Sequence, residues 1–184
     1  MPVPVIGLEL PTTGNGAYRY EASNMKTIVN LDVRLNALGH RNWVILADAA
    51  YPQQCATGIE TLVAHAPHLD VLAELVEGFD RAPHLRPVAC IDAELGFLRD
   101  DDIPGVEDMR ESIRKKLSSF QIEETPHEEI LENMSVAASV YKVLVVKTPC
   151  LIPYSSVFFR LECGYWGDEQ EKALRARLET WWQQ

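Results

Sequence analysis

Leu38-Gly39-His40-Arg41-Asn42-Trp43-Val44-Ile45-Leu46-Ala47-Asp48-Ala49-Ala50-Tyr51-Pro52 is the most informative stretch of the chain. Its middle, Trp43 to Ala47, is a short unbroken apolar run. That is the pattern of a strand buried on both faces, and hence of a sheet covered by helices. Asp48 closes the run, and Pro52, which has no N–H to give a ladder, ends the segment. Upstream, Val29, Leu31, Val33, Leu35 and Leu38 do not alternate strictly, and Gly39 follows them. This predicts a helix stopped by a glycine just past its end.

Working outward, the same alternation recurs. Leu69, Leu72, Leu75, Val76 and Phe79 have helical spacing, so residues 69–80 read as an amphipathic helix. Arg86 to Ile91 is a second buried-type strand. An acidic loop (Asp100, Asp101, Asp102) closed by Pro104-Gly105 leads to a helix over 106–119. That helix has Glu107 and Asp108 at its start and Arg114, Lys115 and Lys116 at its end, as the macrodipole favours. A further helix opens at Glu124-Thr125-Pro126-His127, with Thr125 as the expected N-cap and Pro126 as the first helical residue. Residues 141–147 and 156–161 read as strands around the loop Pro149 to Pro153. Asp168 is expected to cap a C-terminal helix whose apolar face carries Leu174, Leu178, Trp181 and Trp182, a core or subunit contact. Strands alternating with helices predict an α/β fold of three layers, a largely parallel or mixed sheet flanked by helices.

Composition sets the outer limits. The 184 residues make one domain, large enough to bury a core without staples. With 27 acidic and 17 basic residues the net charge is −10, which opposes binding to nucleic acid or to anionic membrane surfaces. No apolar run reaches the roughly 20 residues of a membrane span. The four cysteines show no metal or redox spacing, so they read as reduced thiols of a cytoplasmic protein. Pro2, Pro4, Pro11, Gly14 and Gly16 mark an irregular N-terminal arm over residues 1–25, with Tyr18 and Tyr20 able to lie on a neighbour.

No glycine-rich phosphate loop and no nucleophile elbow occurs. His65 and His68, three apart across Pro67, do not read as a metal site, and His84 reads as a turn residue. The candidates for chemistry are polar residues at element ends, where ligands bind in α/β sheets. They are His40 before the first strand, Asp48 after it, His127 at a helix start, and Tyr154 before the last strand.

Together these residues resemble the D-ribose pyranase and L-fucose mutarotase (RbsD/FucU) family. The resemblance rests on Gly39-His40, the apolar strand and Asp48-Ala49 to Pro52. It also rests on Tyr154-Ser155-Ser156 with its strand and Gly164, and on Thr125-Pro126-His127-Glu128. It spans residues 26–165, with the arm and the helix over 166–184 as additions. Two departures stand out. Asn42 occupies a position where members often have Asp, and Ser156 stands where they have Asn.

The resemblance implies an isomerase that interconverts anomers or ring forms of a monosaccharide such as L-fucose or D-ribose, without cofactor or metal. It implies a closed homo-oligomeric ring, commonly a decamer, with sites between neighbouring subunits. In this reading His40 is the acid/base and Asp48 orients it. His127 is a second proton carrier. Tyr154 and Ser156, from the same or the adjacent subunit, touch the sugar with Asn42 and Tyr51, and Tyr51 or Trp43 stacks on it. The alternative is a non-catalytic sugar-binding or regulatory ring of the same fold. Ring opening needs a base on the anomeric hydroxyl and an acid on the ring oxygen, and an imidazole can serve as either near neutral pH.

Overall fold

Trp43–Ala47 is a strand, and all five of its residues are buried. It lies inside a mixed six-stranded sheet. The computed structural model describes residues 27–182, so the expected arm over residues 1–25, with Tyr18 and Tyr20, lies outside the described residues. The elements in chain order are α1 (Leu31–Ala37), β1 (Trp43–Ala47), β2 (Ile59–Val63), α2 (His68–Asp80), β3 (Leu85–Asp92), α3 (Val106–Lys116), β4 (Gln121–Thr125), α4 (His127–Ala138), β5 (Val143–Lys147), β6 (Val157–Cys163) and α5 (Asp168–Trp182). A single 3-10 turn, Ala93–Gly96, follows β3.

The sheet order is β2-β5-β1-β6-β3-β4. All neighbours are parallel except β6, which runs antiparallel between β1 and β3. The apolar run of β1 is continuous because both of its faces are covered. Val44 and Leu46 face a core shared with Leu31, Leu35, Leu72, Leu75 and Ile113 of α1, α2 and α3. Trp43, Ile45 and Ala47 face Ile130, Met134 and Ala138 of α4. The three-layer α/β expectation therefore holds. Each fully buried large side chain, such as Phe158 or Phe159, contributes about 1.5–3 kcal/mol of burial.

Four local expectations are corrected. Strands β2 and β4 are additional to those read from the sequence. They are the two outer strands, half-exposed, and so carry no continuous apolar run. Gly39 is not left-handed; the reversal after α1 is made by Arg41 at φ 72°. The last turn of α1 is held instead by the half-buried His84, whose Nε2–H faces the carbonyls of Leu35 and Leu38 at 3.3 and 3.2 Å. Thr125 is the last residue of β4, and the residue before α4 is Pro126, at φ −53° and ψ 138°. Finally, α5 has no buried residue, so its tryptophans are not core; Trp181 and Trp182 stack edge-on at 4.9 Å.

Gly164 has a packing reason. A Cβ there would meet the Pro83 carbonyl oxygen at 2.3 Å, and its N–H donates to the His84 carbonyl at 2.9 Å.

Candidate active site

The carboxyl ends of β1 and β3 and the start of β6 lie on one edge of the sheet, because β6 runs opposite to its neighbours. Each of these ends carries a polar residue. Asp48 follows β1, Asp92 ends β3, and Tyr154, Ser155 and Ser156 precede β6. His127 opens α4 directly after β4, which is parallel to β3. The carboxyl edge of an α/β sheet is where strand ends splay and ligands are held.

The strongest feature of this edge is a histidine on a buried carboxylate. His127 Nδ1 lies 3.0 Å from Asp92 Oδ1, and the Asp92 side chain is fully enclosed. A carboxylate oxygen only accepts, so Nδ1 carries the proton and Nε2 is left with its lone pair. Burial pushes the Asp92 carboxyl up to about 6, against the opposing pull of the His127 hydrogen bond and charge. Among the described residues the buried Asp92 Oδ2 has no hydrogen-bond partner. The backbone N–H of His127 donates to both oxygens of Glu94 at 3.2 and 3.1 Å. Glu94, from the 3-10 turn, thus performs the capping that Thr125 was expected to give.

Asp48 is fixed by its own turn. Its Oδ1 accepts from the N–H groups of Ala50 and Tyr51 at 2.8 and 3.1 Å. Its Oδ2 accepts the Ser156 hydroxyl at 3.0 Å, and the Asp48 N–H donates back to Ser156 Oγ at 3.2 Å. Tyr154 has a left-handed backbone, φ 57°, and its ring meets the His127 imidazole edge-on at 5.5 Å. Asp48, His127, Tyr154 and Ser156 therefore gather within one chain. Tyr51 is buried beneath them: its ring leans on Phe158 at 6.4 Å, and its hydroxyl accepts from Gln54 at 3.0 Å. Burial pushes that phenol up to about 12.

His40 and Asn42 lie at the opposite edge, on the amino side of β1. The five residues of β1 put about 16 Å of strand between that edge and Asp48. Asp48 and His40 of one chain therefore do not meet, and Asp48 cannot orient that imidazole. His40 Nδ1 lies 3.2 Å from Glu162 Oε2, with both side chains solvent-accessible, and its Nε2 accepts from Arg41 Nε at 3.3 Å. Asn42 uses its whole amide on backbone: Oδ1 accepts from Gly39 at 2.7 Å, and Nδ2 donates to the Lys142 carbonyl at 3.2 Å. A carboxylate could accept but not donate, which gives the Asn at this position a structural reason. Trp43, at the same edge, is buried against α4.

Asp92, Glu94 and His68 belong to the carboxyl edge but did not stand out in the sequence. The signal for Asp92 is there: Cys90-Ile91-Asp92 closes an apolar run with Asp just as Leu46-Ala47-Asp48 does. His68 is buried with both ring nitrogens engaged, while His65 is exposed. Among the described residues no group of three or more His, Cys, Asp or Glu is placed to hold a metal ion. All four cysteines are free, and no described helix is long and apolar enough to cross a membrane.

No protein-family model matches the chain. No curated protein matches it either. Solved structures do. The Bacillus subtilis RbsD structure complexed with D-ribose superposes with a TM-score of 0.53 at 21% identity, covering 76% of this chain and 96% of that one. The Streptococcus pneumoniae fucose mutarotase complexed with L-fucose gives a TM-score of 0.51 at 18% identity, covering 80% of this chain and 99% of that one. The chain therefore has the RbsD-like fold that these two sugar-bound structures share.

Proposed function

We propose that this protein interconverts the anomers or ring forms of a monosaccharide at the carboxyl edge of its sheet. The observation that carries the reading is the His127 imidazole backed by the enclosed Asp92 carboxylate, beside Tyr154 and Asp48, on a fold whose solved likenesses hold D-ribose and L-fucose. With Nδ1–H tied to Asp92, His127 Nε2 is the free base. It would take the proton of the anomeric hydroxyl as the ring C–O bond breaks. The ring oxygen needs a proton in the same step, and returning that proton as the ring recloses on the other face gives the other anomer. Asp48 and Tyr154 would hold sugar hydroxyls.

The acid is His40, supplied by a neighbouring copy in a closed ring. That arrangement reconciles its distance from Asp48 within one chain with a role in the same reaction. In this scheme Tyr154 and Ser156 stand beside His127 and Asp48 in one chain, and His40 is the visitor. The Asn42 amide, spent on backbone, makes no sugar contact in this scheme.

The test is anomer exchange by NMR saturation transfer with fucose, ribose, galactose and xylose, at neutral pH with EDTA. Accelerated exchange of at least one sugar is the expected result. Line broadening of a sugar without acceleration would favour a non-catalytic sugar-binding ring. Neither effect with any sugar would overturn the reading.

A further inference from the structure

Tyr154 is an aromatic residue in a left-handed backbone, φ 57°, a conformation that bulky side chains rarely adopt. Such strain persists only where the surroundings over-determine it. The restraint is visible in the next residue. The Ser155 carbonyl accepts from Nε2 of His68 at 2.9 Å, and the Ser155 hydroxyl donates to the Ile152 carbonyl at 2.7 Å. The other imidazole nitrogen, Nδ1, lies 2.7 Å from Thr148 Oγ1 at the far end of the same loop.

The hydrogen-bond roles follow from the acceptors. A carbonyl accepts only, so Nε2 carries the proton, and neutral Nδ1 is left to accept from the Thr148 hydroxyl, which lies 2.7 Å from it and 3.2 Å from its other acceptor, the Ala47 carbonyl. Burial pushes the His68 imidazole down and keeps it neutral, in agreement with that tautomer. His68 opens α2, anchored through Val71, Leu72 and Leu75 in the core, and is itself 4% exposed. One ring therefore ties both ends of the loop 148–155 to the rigid body of the fold.

We infer that His68 is a positioning residue for the sugar site: by holding the Thr148 hydroxyl and the Ser155 carbonyl together, it fixes Tyr154 against His127 and Ser156 against Asp48. His68 touches no reacting atom, and its role rests on the functional reading above. The loop carries Tyr154 and Ser156 on neither strand nor helix, and so it needs a clamp.

Two substitutions separate positioning from simple loss of packing. In His68→Gln the amide nitrogen reaches as far as Nε2 and can still donate to Ser155. In His68→Asn the amide oxygen takes the place of Nδ1, and the bond to Ser155 is lost. Both remove the aromatic ring, so both lower the melting temperature. Hydrogen–deuterium exchange over residues 148–156 should rise at least tenfold in His68→Asn and less than threefold in His68→Gln. The KM for the sugar found active in the exchange panel should rise about tenfold in His68→Asn, with kcat changing less, and should be largely rescued in His68→Gln. Equal effects in the two variants, tracking melting temperature, would overturn the inference, as would unchanged loop exchange or a loosened loop with unchanged KM. If the wild-type protein acts on none of the sugars, the functional reading falls, and loop exchange alone decides whether His68 is the clamp.

Discussion

The two edges of the sheet each carry a histidine on a carboxylate, and the pairs differ in one respect, burial. At the amino edge His40 meets Glu162 at 3.2 Å with side chains 50% and 25% exposed. At the carboxyl edge His127 meets Asp92 at 3.0 Å with side chains 28% and 0% exposed. Near-equal distances therefore describe very different electrostatics. Water screens the first pair, so as it stands in one chain it holds little orientation energy. The second pair sits where the charged carboxylate is costly and leans on its hydrogen bond to His127. In the proposed function the buried pair serves as the preset base, whereas the exposed one has its reach to solvent free for another copy to cover.

His127→Ala should cause the largest loss, about 10²–10⁴-fold in anomer exchange, since it removes the positioned base itself. Glu162→Gln at the other edge should cost only a fewfold, because an amide oxygen still accepts from His40 Nδ1. Parallel exchange-rate measurements decide it, and equal losses would erase the distinction between the pairs.

Next in size is a pH effect confined to the buried pair. The folded Asp92 carboxyl lies at about 6, above its ordinary value, so the native state holds a proton that the unfolded chain has already released. The contribution of Asp92 to stability is therefore largest below about pH 4, falls as pH rises to about 6, and stays low above it. The difference is of order 3 kcal/mol. Activity should move in the opposite sense, rising through about pH 6 as Asp92 ionises and engages His127. Asp92→Asn should flatten the decline in denaturation free energy over that window and alter the acid limb of the rate profile. Glu162→Gln should change neither.

Ser156→Ala leaves Asp48 Oδ2 without its hydroxyl donor and should cost about 1–3 kcal/mol, read by denaturant titration, together with a higher KM. The smallest effect belongs to Asn42→Asp. It should cost about 1 kcal/mol through the lost donor to the Lys142 carbonyl, with exchange rates unchanged within a fewfold. A gain in activity there would show that the residue serves the sugar and not the turn.

The same contrast in burial explains what was legible in the sequence. Strands β1, β3, β5 and β6 are buried on both faces and announce themselves as apolar runs. Strands β2 and β4 are edges, and their half-exposed patterns, such as Gln121-Ile122-Glu123-Glu124-Thr125, look like loops. Asp48, His127 and Tyr154 were readable as polar residues at element ends, and Ser156 through the resemblance. His68 was not, because a lone histidine shows its worth only when a loop 80 residues away closes on it. The pairing of His40 with Asp48 that the resemblance implies does not hold within one chain, because the intervening strand sets them at opposite edges of the sheet. Backbone details such as the left-handed Arg41, in place of Gly39, follow from tertiary contacts that no local pattern encodes.

The most direct test of the central claim, a sugar site built on His127 and Asp92 and completed by His40 of a neighbouring copy, is complementation. His40→Ala and His127→Ala chains are co-expressed and the mixed assembly is assayed for anomer exchange. Each variant alone should be inactive. In mixed rings a site that draws His127 from one copy and His40 from the next is intact in about a quarter of cases, so about a quarter of wild-type activity should return. A silent mixture, or a His127→Ala protein as fast as wild type, would contradict the account.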